Sequence, residues 1–242
     1  LALINMSHAA IFLSSAIVFY SFFKMGASGL PLLPCSLLTL LYAAVAGLVI
    51  EYVAIRPIRR KGDGMTYALI SSIGVKTIIE NTCQTFFGSE IKSFPTLMAD
   101  KYLEFGNARI AAIQVIILGT ALFVLLVLGW FTTKTKTGKG LRALSQNLKA
   151  CYLMGIPVNR MISVAFAVGS MLAAVSGVAF CMYYQTVAVN IGSIIGQKAF
   201  AATVLGGIGV LSGSVLGGLI IGIVEMFTAG YISSKYRNLV AF

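Results

Sequence analysis

Few side chains in this 242-residue sequence are equipped for chemistry: it holds seven acids and a single histidine. Lys76 and Glu80 stand one helical turn apart inside an apolar segment, a spacing at which opposite charges meet. Leaving either charge alone in that setting is costly, so the two are read as a mutually neutralised pair rather than a substrate site. Glu51 sits five residues before Arg56, at the end of another apolar run, and is expected to pair with the basic loop that follows. Glu225 falls inside the last apolar region with no evident partner. Lys198 is read as a basic anchor snorkelling to the membrane surface. Asn5 and His8 are placed near the inner end of the first segment, with His8 more a packing side chain than a proton carrier.

Familiar catalytic patterns are missing from the sequence. Thr137-Gly138-Lys139-Gly140 lacks the upstream glycine and the following Ser or Thr of a phosphate-binding loop. There is no His-Glu-x-x-His, no catalytic triad and no carboxylate pair. Cys35, Cys83, Cys151 and Cys181 form no CxxC pair and no zinc spacing, and are read as small packing residues. Only Cys35 and Cys83 would share the outer face and offer a disulfide. No catalytic or metal-ligating residue is assigned. If ATP is used, a partner subunit must hydrolyse it.

The elements that must position these groups follow from composition. Hydrophobic residues make up 58% of the chain and charged residues 10%, against roughly 25% charged in soluble domains. Mean hydropathy is +0.93. Lipid is the solvent that accepts so much apolar surface. Apolar runs cover residues 9–23, 32–54, 67–87, 110–131, 161–184 and 199–232, the last divided by glycines near 206–213. The expected fold is an all-α polytopic transmembrane bundle of about six to seven membrane segments, including that glycine-rich broken helix.

Net charge is +11. Its distribution between apolar runs points to membrane topology rather than nucleic acid. Arg56, Arg59, Arg60 and Lys61 oppose only Asp63 after the second run. Lys134, Lys136, Lys139, Arg142, Lys149 and Arg160 meet no acid within 132–160. Lys92, Lys101 and Arg109 balance Glu90, Asp100 and Glu104. By the positive-inside rule the first two loops are cytoplasmic and the third external. Two series of small residues at four-residue spacing, Ala165-Gly169-Ala173-Gly177 and Gly209-Gly213-Gly217, predict faces for close helix packing, as does the pair Gly218 and Gly222.

The cytoplasmic loop 137–160 is the most informative stretch. Leu141, Leu144, Leu148 and Cys151 make an apolar stripe at helical spacing. Ala143, Asn147, Ala150 and Met154 make a second stripe of small or neutral residues. Gly155 is placed to end the helix, and Pro157 follows. One continuous helix over 141–154 is expected, lying along the membrane. Its use is either docking to a soluble partner or anchorage at the interface.

The loop and the span after it, RALSQNLKACYLMGIPVNRMISVAFAVGSMLAAVSGV, resemble permeases of branched-chain amino-acid ABC importers, in particular the LivH-type inner-membrane subunit. So do AFAATVLGGIGVLSGSVLGGLIIGIVEMF near the C-terminus, INMSH near the start (the family has INFAHG, with Ala9 here in place of its glycine) and EYVAIRPIR after the second run. The matches run in order along nearly the whole chain. The resemblance implies one permease domain over 1–242, with the family's first and last helices lying outside these residues. It implies ATP-driven import of branched-chain or hydrophobic amino acids across the bacterial inner membrane. Substrate would come from a periplasmic binding protein. A second, LivM-like permease subunit and two cytoplasmic ATPase subunits would complete the assembly, with ATP bound on the partners and no cofactor or nucleic acid on this chain. Arg142, Ala143, Gln146, Asn147, Ala150 and Gly155 resemble the coupling helix that docks in the ATPase.

Asn5, His8 and the break at Gly206, Gly207 and Gly209 are the candidate substrate pathway, because irregular backbone at membrane depth is tolerated only beside protein or a water-filled cavity. Two alternatives stay open. One is a urea or short-amide importer of the same family. The other is a stand-alone ion-coupled secondary transporter, for which Glu80 and Glu225 would be the coupling acids.

Overall fold

In hydrocarbon, a backbone can satisfy its own hydrogen bonds within one segment only by coiling, so long apolar runs become helices. The computed structural model describes residues 5–25, 31–60, 64–94, 102–105, 108–233 and 236–239. Helix α1 is Ser7–Met25 and α2 is Leu32–Ile50. A π turn, Glu51–Ile55, carries α2 into α3, Arg56–Arg60. Helix α4 is Gly64–Phe87 and α5 is Ala112–Lys134. Two short helices follow, α6 (Lys136–Gln146) and α7 (Leu148–Leu153). The chain continues with α8 (Val158–Tyr184), α9 (Val189–Gly206) and α10 (Leu211–Phe227), the last prolonged by a π turn, Thr228–Ile232.

Five stretches are long and apolar enough to cross a bilayer: Ser7–Lys24, Leu32–Arg59, Ala112–Lys134, Val158–Tyr184 and Leu211–Ile232. Helix α4, diluted by Lys76, Glu80, Asn81 and Gln84, and the 18-residue α9 complete the set of long helices among the described residues. The all-α polytopic bundle of the sequence reading is what forms.

Strand pairing fixes one end of the molecule. Strand β1 (Lys92–Ser93), after α4, pairs antiparallel with β4 (Thr186–Val187), after α8. Phe94 extends this seam, its N–H donating to the Gln185 carbonyl at 2.7 Å, and buries its ring against Phe19 and Phe23 of α1. Strands β2 (Tyr102–Phe105) and β3 (Ala108–Ala111) form a hairpin just before α5. At the opposite end, Arg59 donates to Asn159 of α8 at 2.9 Å, which brings the end of α3 beside the start of α8. The basic stretches therefore share one end and the near-neutral segment occupies the other, as the charge pattern predicts. Lys61, Asp63, Asp100 and Lys101 lie outside the described residues, as do the side chains of Arg60, Glu104, Arg109 and Lys149.

Helix α8 is the packing post. A Cβ on Gly177 would press on the Phe12 carbonyl, and one on Gly169 would press on the His8 ring, so α1 seats against the small-residue series. On another side, a Cβ at Gly47 of α2 would collide with Ser170. Ala165, the first member of the predicted series, is exposed and takes no part. None of the four cysteines is in a disulfide, and Cys35, Cys151 and Cys181 are buried.

The glycine-rich region departs from its expected bounds. Helix α9 starts at Val189, ten residues earlier than the hydropathy suggests, because Asn190, Ser193, Gln197 and Lys198 lower the apolar average without breaking the helix. Helices α9 and α10 run antiparallel, with Gly206 against the Gly213 carbonyl and Gly217 against the Ala202 carbonyl. Gly209 sits in open space in the turn, and Gly218 and Gly222 meet nothing within 4 Å. Helix α5 buries no residue. Gly213→Val should destabilise the α9–α10 hairpin by about 1–3 kcal/mol through overpacking, read as a lowered Tm of the purified protein in detergent.

Candidate functional site

A cavity of about 460 Å³ lies between the start of α1, the middle of α8 and one face of α9. Its walls are mostly apolar, with Asn5, His8, Ser176 and Thr203 as the polar members and Ile208-Gly209 of the α9–α10 turn at one side. Asn5 opens α1: its Oδ1 accepts from the Ser7 N–H at 3.0 Å and the Ser7 hydroxyl at 2.6 Å, closing the first turn as a cap does. With Oδ1 so held, Nδ2 faces His8 and donates to its Nδ1 at 3.2 Å. A neutral ring with its proton on Nε2 accepts this bond. The His8 ring meets Phe166 edge to face at 6.3 Å.

Depth differs from the sequence reading. His8 lies against Gly169, eleven residues into α8, or about 16 Å from its inner end. The start of α1 is therefore set well inside the bundle rather than at its inner mouth. Among the break residues, only Gly209 lines the cavity. Gly206 ends α9 with its backbone against Gly213, and Gly207 is the cap that turns the chain, at φ +93°. Neither stands in the cavity wall.

The predicted continuous helix over 141–154 is two helices. Asn147 adopts extended backbone (φ −153°, ψ 107°) and its Oδ1 accepts from the Ala150 N–H at 3.0 Å, so it caps α7 instead of continuing α6. Leu144 and Cys151 are buried in the core with Ile55, Val158 and Ile162, which fastens both short helices to the bundle. Arg142, Gln146, Asn147, Ala150 and Gly155 are exposed. Ala143 is not on that surface: it packs against the core, and its place there follows from lying one residue before Leu144. Gly155, at φ +70°, ends α7 with a paired closure, Ile156 N–H to Cys151 O at 3.0 Å and Gly155 N–H to Tyr152 O at 3.2 Å. Just before it, Leu153 and Met154 stand 90% and 80% exposed. The sequence reading missed them as a pair; two large apolar residues directly before a helix-ending glycine were the available signal.

Residues 1–242 match the family described as "Branched-chain amino acid transport system / permease component". Over 253 residues the sequence is 33% identical to the high-affinity branched-chain amino acid transport system permease protein BraD of Pseudomonas aeruginosa, covering all of this chain and 81% of BraD. The chain belongs to this permease family. It is also 35% identical over 204 residues to the high-affinity branched-chain amino acid transport system permease protein LivH of Escherichia coli K12, covering 83% of this chain and 66% of LivH. A shorter likeness, 39% over 93 residues, is to the autoinducer 2 import system permease protein LsrC of an Enterobacter strain, covering 38% of this chain and 27% of LsrC. No solved structure is a significant match.

Three charge clusters hold the helices of this permease together. Glu51, 1% exposed, sits in the π turn after α2. Its carboxylate pairs with Arg59 at 3.3 Å and Arg56 at 3.4 Å, and accepts from the Ser163 hydroxyl of α8 at 3.0 Å. Lys76 and Glu80 do pair, at 3.7 Å, and Lys76 also donates to Ser193 of α9 at 3.0 Å. Glu225 has the partner that the sequence did not reveal: Lys198 lies 2.7 Å away, so this lysine turns into the bundle instead of snorkelling outward. Arg237 approaches the other carboxylate oxygen at 3.4 Å. Glu51→Ala would leave two guanidinium groups without their buried counter-ion and should cost about 3–5 kcal/mol. Joint replacement Glu51→Leu with Arg59→Met should recover a large part of it, measured by thermal unfolding of the solubilised permease.

Proposed function

We propose that this chain is the membrane-spanning permease subunit of an ATP-driven importer of branched-chain and other hydrophobic amino acids in a bacterial inner membrane. The observation that carries the reading is the family match over the whole of residues 1–242, supported by BraD and LivH, whose names specify branched-chain amino acids. In this reading residues 1–242 form a single permease domain. Its partners are a second, LivM-like permease subunit, two cytoplasmic ATPase subunits that bind the nucleotide, and a periplasmic binding protein that delivers the substrate. The chain itself binds no cofactor.

The geometry supplies a route for force. The ATPase would take hold of the exposed face of α7, with Ala150 allowing close approach and Leu153 and Met154 as apolar anchors. Four residues, Met154 to Pro157, join α7 to α8. The first turns of α8 are bonded to the end of α2 through Asn159–Arg59 and Ser163–Glu51. A push on α7 therefore moves α8 and α2 as one body. Helix α8 carries Ala173 and Ser176 in the cavity wall, so the push changes the cavity's shape and alternates its access. Asn5, His8 and Gly209 are the pathway residues in this account, and an apolar cavity with a few hydroxyl and amide groups suits an amino acid with an aliphatic side chain.

The test is purification of the assembled transporter in mild detergent. A soluble ATPase should accompany the permease, and Ala150→Glu or Leu153→Asp should release it or leave ATP hydrolysis uncoupled from uptake. Retained ATPase and normal coupling in both variants would refute the docking assignment. Ala199→Leu, which adds bulk to the cavity wall on α9, should abolish most uptake while basal ATP hydrolysis persists.

A further inference from the structure

A column of aromatic rings runs from the cavity wall to the outer end of α8. Phe12 lines the cavity and meets Phe180 edge to face at 5.7 Å. Phe180 stacks on Tyr184, the last residue of α8, at 4.4 Å. The next space outward is a void of about 10 Å³ lined by Phe12, Phe180 and residues of the β4 segment. That is about the room one water needs, far too small for an amino acid. The column is fastened from outside: the Tyr184 hydroxyl accepts from Arg237 at 3.0 Å, and Arg237 lies 3.4 Å from Glu225.

We propose that Phe12, Phe180 and Tyr184 form the outer gate of the cavity, and that Arg237, held by Glu225, latches it shut. This inference rests on the reading of the cavity as part of the transport pathway. The pairing of Glu225 with two cations is what makes the latch reversible. A carboxylate only 6% exposed cannot lose its sole counter-ion without a heavy penalty. Lys198 stays on Oε1 at 2.7 Å, so Arg237 can leave Oε2 and Tyr184 together while the carboxylate remains neutralised. Tyr184 is then free to swing, and Phe180, no longer stacked, opens the way to Phe12. The α9–α10 hairpin that carries Lys198 and Glu225 stays rigid during this step, because its two helices meet backbone to backbone at Gly206 and Gly213.

The test uses the full transporter complex in sealed right-side-out vesicles, with Ser176→Cys on the cavity wall as a reporter and a charged, membrane-impermeant maleimide added outside. The gate keeps labelling of the introduced thiol slow. Tyr184→Phe, which removes only the hydroxyl, and Arg237→Ala should each raise the labelling rate about tenfold, the scale of one hydrogen bond to a charged group. Phe180→Ala should do so without touching the latch. Unchanged rates in all three variants overturn the gate, and so does an equal rise when the reagent acts from the cytoplasmic side of inverted vesicles, which would mean general loosening. Protection of the same thiol by leucine reads the pathway separately: gate-dependent labelling without protection keeps the gate and removes the cavity from the leucine route.

Discussion

Lipid gives helices no hydrophobic reason to associate, so everything in this fold depends on how closely backbones can approach one another. Helix α8 meets that constraint by offering small residues on two sides. Gly169 and Gly177 admit α1, and Ser170 fits against Gly47 of α2. The hairpin of α9 and α10 repeats the solution at Gly206, Gly213 and Gly217. What remains between α1, α8 and α9 is a cavity walled in part by the residues that make these contacts, His8, Ala9 and Phe12 of α1 and Gly196 of α9. The site is in this sense a product of the packing rule, with Asn5, Ser7 and His8 supplying the polar closure that the start of α1 needs away from water.

Charges in this setting act as fasteners between particular helices. Glu51 ties the end of α2 to the beginning of α8, Lys76 reaches from α4 to α9, and Glu225 ties α9, α10 and the segment bearing Arg237. The two clusters built on Glu51 and Glu225 each place one carboxylate between two cations. The inner cluster includes bonds to two side chains of α8 and behaves as a weld. Among the described residues the outer one reaches α8 through Arg237 and Tyr184, which suits a contact that must break and re-form.

Much of this was legible in the sequence, for reasons that are local. Segment length, loop charge and the helix-ending Gly155 are properties of a few consecutive residues, and Glu51 with Arg56 or Lys76 with Glu80 are close in the chain. Pairs set by tertiary approach were not legible. Lys198 and Glu225 are brought together only by the α9–α10 turn, and nothing around Lys198 distinguishes an inward lysine from a snorkelling one. The division of the coupling element at Asn147 carried a signal, since asparagine favours the position that opens a helix, but the apolar stripe running past it pointed to continuity. Asn5, His8 and Gly209, grouped in the sequence, line one cavity in the structure. Gly206 and Gly207 were grouped with them because the sequence marks a break without showing which of its residues faces the cavity.

The most direct test of the account is uptake by the complete transporter in proteoliposomes, supplied with its binding protein and with ATP on the ATPase side. The account predicts accumulation of radiolabelled leucine, isoleucine or valine that stops when ATP is replaced by a non-hydrolysable analogue. Urea should not accumulate under the same conditions. Uptake that persists without ATP and follows a proton or sodium gradient would contradict the account, and accumulation of urea in place of leucine would contradict its substrate.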